Sequence, residues 1–192
     1  MNKPNNYENT QAGGDYTPII VGGHTAVIKK VEEATSQNGK PMIKVAIDFD
    51  EKDVQPGYFT NAFKNDTREE KKWPYQGVVY ILSEDQDGNC SRSFKSFITA
   101  VETSNEGFKV SWGKTFAAQF TGKKVGCIYG EVEEEYNGEI KTRIRHRFFC
   151  NYDKAPGADI PAKREIVSKP SAPVATRPDG FVNVENDGTI PF

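Results

Sequence analysis

Two Asn-Gly pairs, Asn38-Gly39 and Asn137-Gly138, each stand between runs of strand-forming residues, and they constrain this chain more than anything else in it. Asparagine and glycine reach positive φ at low cost, and a tight turn that matches the twist of two paired strands needs positive φ at its centre. The first pair predicts a hairpin between residues 24–33 and 42–49. Within the latter, Ile43, Val45, Ile47 and Phe49 point one way and Lys44, Ala46 and Asp48 the other. The second pair predicts a hairpin between residues 123–136 and 139–150. Residues 58–64 read as a weaker strand and 78–82 as a compact apolar one.

Between these strands the period changes once. Phe94, Phe97, Ile98 and Val101 fall at i, i+3, i+4 and i+7, the spacing of one buried helical stripe, so a helix is expected over 91–104. Asn105 and Gly107 suit its end, and a shorter helical turn is expected over 114–120. Strands, one main helix, then a closing hairpin is the order of a five-stranded OB barrel. The fold class expected is therefore mainly β, an OB-fold barrel with one main helix. Six strand candidates are present rather than five, leaving 58–64 and 78–82 as one interrupted strand or an inserted hairpin.

Composition separates this core from its flanks. Residues 1–15 are polar and read as a flexible arm; residues 16–152 carry the core. Residues 153–192 contain six prolines and few bulky apolar groups, too little to offset the entropy of ordering, so they read as a disordered tail. No apolar run approaches the ~18 residues of a membrane span, and the polar start shows no secretory pattern. Three widely spaced cysteines and two histidines offer neither a disulfide framework nor a zinc site, so a reducing cytoplasm is expected and no cofactor. The net charge of -2 says nothing about nucleic acid, so charge has to be read locally.

Two local patterns carry chemistry. In 140–148, Lys141, Arg143, Arg145 and Arg147 alternate with Ile140, Thr142 and Ile144, so one strand face would carry a row of cations about 6.6 Å apart. Such a row suits phosphates, whose neutralisation releases counterions without reading sequence. An equal alternative pairs it with Glu131, Glu133, Glu134 and Glu135 on the neighbouring strand. The second pattern interleaves rings and cations: Tyr58, Phe59, Phe63 and Lys64, then Arg68, Lys71, Lys72, Trp73 and Tyr75. Bases stack on exposed rings while lysines and arginines hold the backbone. Trp73 leads here; for any single ring, packing into the core is the better reading, and for at least one of Trp73, Tyr75 and Tyr58, exposure to DNA is. Lys29, Lys30 and Lys44 of the first hairpin are weaker candidates, of which Lys44 is counted with this set. No nucleophile, phosphate loop or metal spacing appears, so no enzyme is expected.

The chain ends Asp187-Gly188-Thr189-Ile190-Pro191-Phe192. This resembles the acidic tip, closing on Ile-Pro-Phe, of bacterial single-stranded DNA-binding proteins, although Gly188 and Thr189 stand where acids are usual. The core stretches 94–105 and 120–131 resemble single-stranded DNA-binding proteins of phages of Gram-positive hosts, over roughly residues 20–150. The resemblance implies an OB fold, single-stranded DNA as ligand, and a role in replication, recombination or repair in the (host) cytoplasm. It also implies that Asp187, Ile190, Pro191 and Phe192 engage partner proteins. Physically, a terminal ring suits an apolar pocket and the free carboxylate a basic side chain. The competing reading is a protein-interaction adaptor on an OB barrel that binds no DNA. Self-association is left open, and no membrane partner is expected.

Overall fold

A computed structural model describes residues 1–4, 7–9 and 17–166. The chain is mainly β: five antiparallel strands form one sheet in the order β3-β2-β1-β4-β5. These are β1 (Gly22–Thr35), β2 (Pro41–Phe49), β3 (Val78–Leu82), β4 (Lys124–Tyr136) and β5 (Glu139–Cys150). Two helices accompany them, α1 (Tyr58–Lys64) before β3 and α2 (Arg92–Ser104) after it. The alternation in β2 is realised as expected, with Ile43, Val45, Ile47 and Phe49 all buried. They meet Ile28 and Val31 of β1, Ile81 of β3, and Val125, Cys127 and Tyr129 of β4 in one core.

α2 closes this core from below. Its stripe buries Phe94, Phe97, Ile98 and Val101, at about 1.5–3 kcal/mol for each large side chain removed from water. It starts where it does because the Ser91 hydroxyl accepts the Phe94 N–H at 3.1 Å, a cap contributing about 1 kcal/mol. The expected turn over 114–120 narrows to one short turn, Ala118–Phe120.

The two Asn-Gly turns differ. At Asn137-Gly138 both residues have positive φ, 54° and 77°, and the hairpin is tight, pairing Tyr136 with Glu139. At Asn38-Gly39 only Gly39 does, at 74°, in a wider loop closed by the Ser36 N–H donating to the Lys40 carbonyl.

Three expectations need correction. Residues 58–64 form helix α1, because Phe59 enters the core while Phe63, four residues on, packs on Trp73, and the buried Asp48 carboxylate accepts the Phe59 and Thr60 N–H groups at 2.9 and 3.3 Å. That leaves five strands. Second, the sheet is not closed into a barrel: β3 and β5 are its edges, and no ladder joins them among the described residues. β3 is only five residues long, and the gap is crossed by Gln76, whose Nε2 donates to the Ile144 carbonyl at 3.2 Å and whose carbonyl accepts the Tyr129 hydroxyl at 2.7 Å.

Third, the ordered chain does not stop at 152. Tyr152–Gly157 makes a short turn with Tyr152 and Ala155 buried. It seats against β1 and β4 because Gly23 and Gly126 carry no side chain there; a Cβ on Gly23 would lie 1.7 Å from the Ala155 oxygen. Further on, the Arg164 N–H donates to Glu131 and its carbonyl accepts the Glu133 N–H, extending the edge of β4 past the end of β1. Backbone satisfied in this way orders a segment that composition marks as loose.

Candidate nucleic-acid interface

The side of the sheet turned away from the core is covered by α1 only at the Asp48 end of β2. Strand alternation sends Lys44 and Ala46 outward, and the register places Lys44 between Glu32 and Tyr80, and Ala46 between Lys30 and Val78. These six residues floor a groove of about 620 Å³, walled by Arg68, Lys72, Trp73, Pro74 and Tyr75. Four cations and one carboxylate line it. The carboxylate, Glu32, is 2.6 Å from Lys30, whose ammonium holds it below its usual range. Arg68 is held by Asp66. Among the described residues neither Lys44 nor Lys72 forms a salt bridge.

The wall is rigid where it is aromatic. The Trp73 indole N–H donates to the Ile47 carbonyl at 3.1 Å, and its ring leans on Phe63 at 5.6 Å. Gly77 leaves the space, since a Cβ there would be 2.8 Å from both Trp73 Nε1 and Phe59 Cγ. Tyr75 is 67% exposed and Tyr80 54%, so both present flat apolar surface to solvent.

The groove continues in both directions. Along β2 it opens into a second hollow of about 610 Å³, which shares Lys44 and Tyr80 with the first and adds Lys40, Met42 and Leu82 at the β1–β2 loop. Past Tyr75 a hollow of about 400 Å³ is lined by Thr142, Arg143, Ile144 and Arg145 of β5. Arg145 lies over the Tyr75 ring, 5.1 Å from its centre, so this tyrosine joins the two regions.

The expected residues are brought together in part. Lys44, Lys72, Trp73 and Tyr75 share the main groove, and Arg143 and Arg145 adjoin it. The cation row is also ion-paired. Arg145 makes a two-pronged bond to Glu134, at 2.6 and 2.7 Å, while Arg143 is 3.5 Å from the same carboxylate and Lys141 pairs with Glu139 at 2.9 Å. Arg145 beside it holds the Glu134 carboxyl below its usual range. Arg147 leaves the row: the β4–β5 register slips at Ile128/Tyr129, making it the extra residue of a bulge, and its Nη1 donates to the carbonyls of Glu131 and Ala162 at 3.1 and 3.0 Å. Bulges re-aim side chains in this way.

Tyr58 and Lys64, at the two ends of α1, do not line the groove. The Tyr58 ring packs beside Phe49 and Phe59 and its hydroxyl donates to the Thr17 carbonyl. The tip residues Asp187, Ile190, Pro191 and Phe192 lie outside the described residues. Sequence reading missed Tyr80 and Lys40. Tyr80 was detectable: in 78–82 it alternates with Val79 and Ile81 and so faces opposite to the buried Ile81.

Neither histidine is in the groove. His24 is buried, its Nδ1 2.9 Å from Asp53 and its Nε2 2.8 Å from the Ile20 carbonyl. His146 packs against Phe149 and Tyr129; burial drives its pKa down to about 3, and among the described residues its Nε2 has no hydrogen-bond partner. Burial pushes the Cys127 thiol up. Among the described residues no three His, Cys, Asp or Glu side chains cluster as a metal site, and no helix is long and apolar enough to cross a membrane. No protein-family model and no curated protein matches this chain.

Proposed function

We propose that this chain is a non-enzymatic single-stranded DNA-binding protein, holding the strand along the outer face of β1, β2 and β3. The carrying observation is the groove in which Trp73, Tyr75 and Tyr80 stand among Lys30, Lys44, Arg68 and Lys72. Rings take bases by stacking without regard to sequence, and cations take the phosphates. A row of ladder-paired side chains on a sheet face suits an extended strand better than a compact ligand. The reading is also supported by strand order. A β1-β2-β3 meander joined through β1 to a β4-β5 hairpin, with a helix between β3 and β4, is the order of an OB fold opened between β3 and β5, and OB folds bind oligonucleotides on strands 2 and 3.

On this reading the protein coats single strands with little sequence preference, and the Ile190-Pro191-Phe192 tip recruits replication, recombination or repair proteins. Fluorescence anisotropy with labelled oligo-dT, a mixed-sequence strand and the matching duplex tests it. Both single strands should bind comparably, the duplex far more weakly, with affinity falling steeply as salt rises. Equal binding of single strand and duplex, or none at low salt, overturns the reading.

A further inference from the structure

A fourth ring, which no sequence pattern singled out, extends the groove. Trp112 lies between α2 and β4 and is 68% exposed, yet it is firmly mounted. One face is stacked on Phe116, at 5.3 Å and 12°. Phe116 contacts Phe120 and Phe120 contacts Phe97, so the ladder of rings is rooted in the core. The segment is tied on both sides. Gln119 accepts the Ser111 N–H at 2.8 Å and donates to the Ser111 and Phe116 carbonyls at 2.7 and 2.8 Å, and Glu102 accepts the Val110 N–H at 3.0 Å. A ring fixed before its ligand arrives loses little entropy on binding.

This platform adjoins the second hollow at Met42. Trp112, Lys114, Phe94 and Phe116 line a hollow of about 440 Å³ together with Met42, and Met42 also lines the hollow that holds Lys44 and Tyr80. The Trp112 hollow is also lined by Glu33 and Ile43, which share the core-facing side of the sheet, so a strand leaving the groove past Lys44 reaches it by turning round the end of β2 at Met42. Ala46 and Met42 lie four residues, about 13 Å, apart along β2, so a strand seated between Trp73 and Tyr80 needs further nucleotides to reach Trp112.

We infer that Trp112 is a stacking site for a base further along the same single strand, with Lys114 meeting a neighbouring phosphate. The inference rests on the proposed DNA-binding face and sets the length of strand the domain engages. An exposed ring stacked on one side, beside a lysine and joined to the groove system at Met42, suits a flat base in a charged chain.

The test uses the full chain and labelled oligo-dT of about four and about sixteen nucleotides, spanning the site sizes of OB folds. Trp112→Ala should weaken binding of the longer strand by roughly 5- to 100-fold, the effect of losing one stacked base. The shorter strand should bind both proteins within about twofold, since it can be held without this ring. Trp112→Phe should fall between. In Trp73→Phe, where Trp112 is the remaining tryptophan, emission should be quenched more by the longer strand. Unchanged affinity of Trp112→Ala for the longer strand, with wild type binding well, overturns the inference and leaves the DNA-binding face standing. Dimerisation of the wild type that Trp112→Ala abolishes assigns the ring to a second copy and overturns it too. Wild type binding neither strand overturns the parent reading, and this one with it.

Discussion

Lys44 and Tyr80 are direct partners across the β2–β3 ladder, and the Lys44 ammonium stands 6.0 Å from the centre of the Tyr80 ring. One pair thus sets a cation over an exposed ring, and on the proposed reading the two would take a phosphate and a base. Tyr80→Ala is expected to weaken single-stranded DNA binding by about 1–3 kcal/mol. Lys44→Ala should flatten the slope of log affinity against log salt by about 0.7. Anisotropy titrations across a salt series check both, and an unaltered slope for Lys44→Ala would remove that phosphate contact.

Glu134 competes for the cations of β5. It holds Arg145 by two bonds and sits 3.5 Å from Arg143. Glu134→Gln should release both toward phosphate, raising affinity and steepening the salt slope by about 0.7 for each cation gained. Unchanged affinity would mean that the pair only fastens the hairpin. The lowered Glu134 pKa makes the pair's contribution to stability fully present above the usual glutamate range, to be lost as pH falls through the lowered value.

Gly77 makes room for the aromatic wall. In Gly77→Ala the new methyl meets Trp73 Nε1 and Phe59 at 2.8 Å, so the indole must leave the Ile47 carbonyl or the backbone must shift. A loss of about 1–3 kcal/mol is expected, with a shift in tryptophan emission, both readable in one denaturant titration. An unshifted emission maximum would show that the wall yields elsewhere.

The segment 152–166 should act as part of the folded domain. Gly23→Ala drives a methyl into the Ala155 carbonyl and should cost about 3 kcal/mol, the upper end for overpacking. Ending the chain after Tyr152 should lower the melting temperature in the same sense, since it strips the Arg164 contacts from β4 and the Ala162 carbonyl from Arg147. A truncated chain melting with the intact one would show that the segment adds nothing.

His146 gives the fold an acid sensitivity. Its pKa of about 3 lies below the ordinary 6.5 because its ring is enclosed. Between those values the unfolded chain binds a proton that the folded chain does not, so stability falls as pH drops from about 6.5 toward 3. In His146→Phe this component should vanish, and the difference in melting temperature between variant and wild type should grow in the variant's favour as the medium is acidified. A difference constant with pH would mean that His146 takes up its proton as readily in the folded chain as in the unfolded one.

The sequence by itself determined the elements whose signal is local. Alternation in β2, the i, i+3, i+4 stripe of α2 and the Asn-Gly turn of the last hairpin each lie within about fifteen residues, and each depends only on which face of a strand or helix is apolar. The same alternation was enough to place Lys44 on the outward face. Tertiary structure decided what depends on residues far apart in the chain. Asp48 turns 58–64 into a helix by accepting its N–H groups, and the short β3 leaves the sheet open. One extra residue at the β4–β5 bulge takes Arg147 away from the row, and Gly23 and Gly126 give 152–157 a seat. In each case the outcome depends on a partner distant in the chain, and no local pattern carries that information.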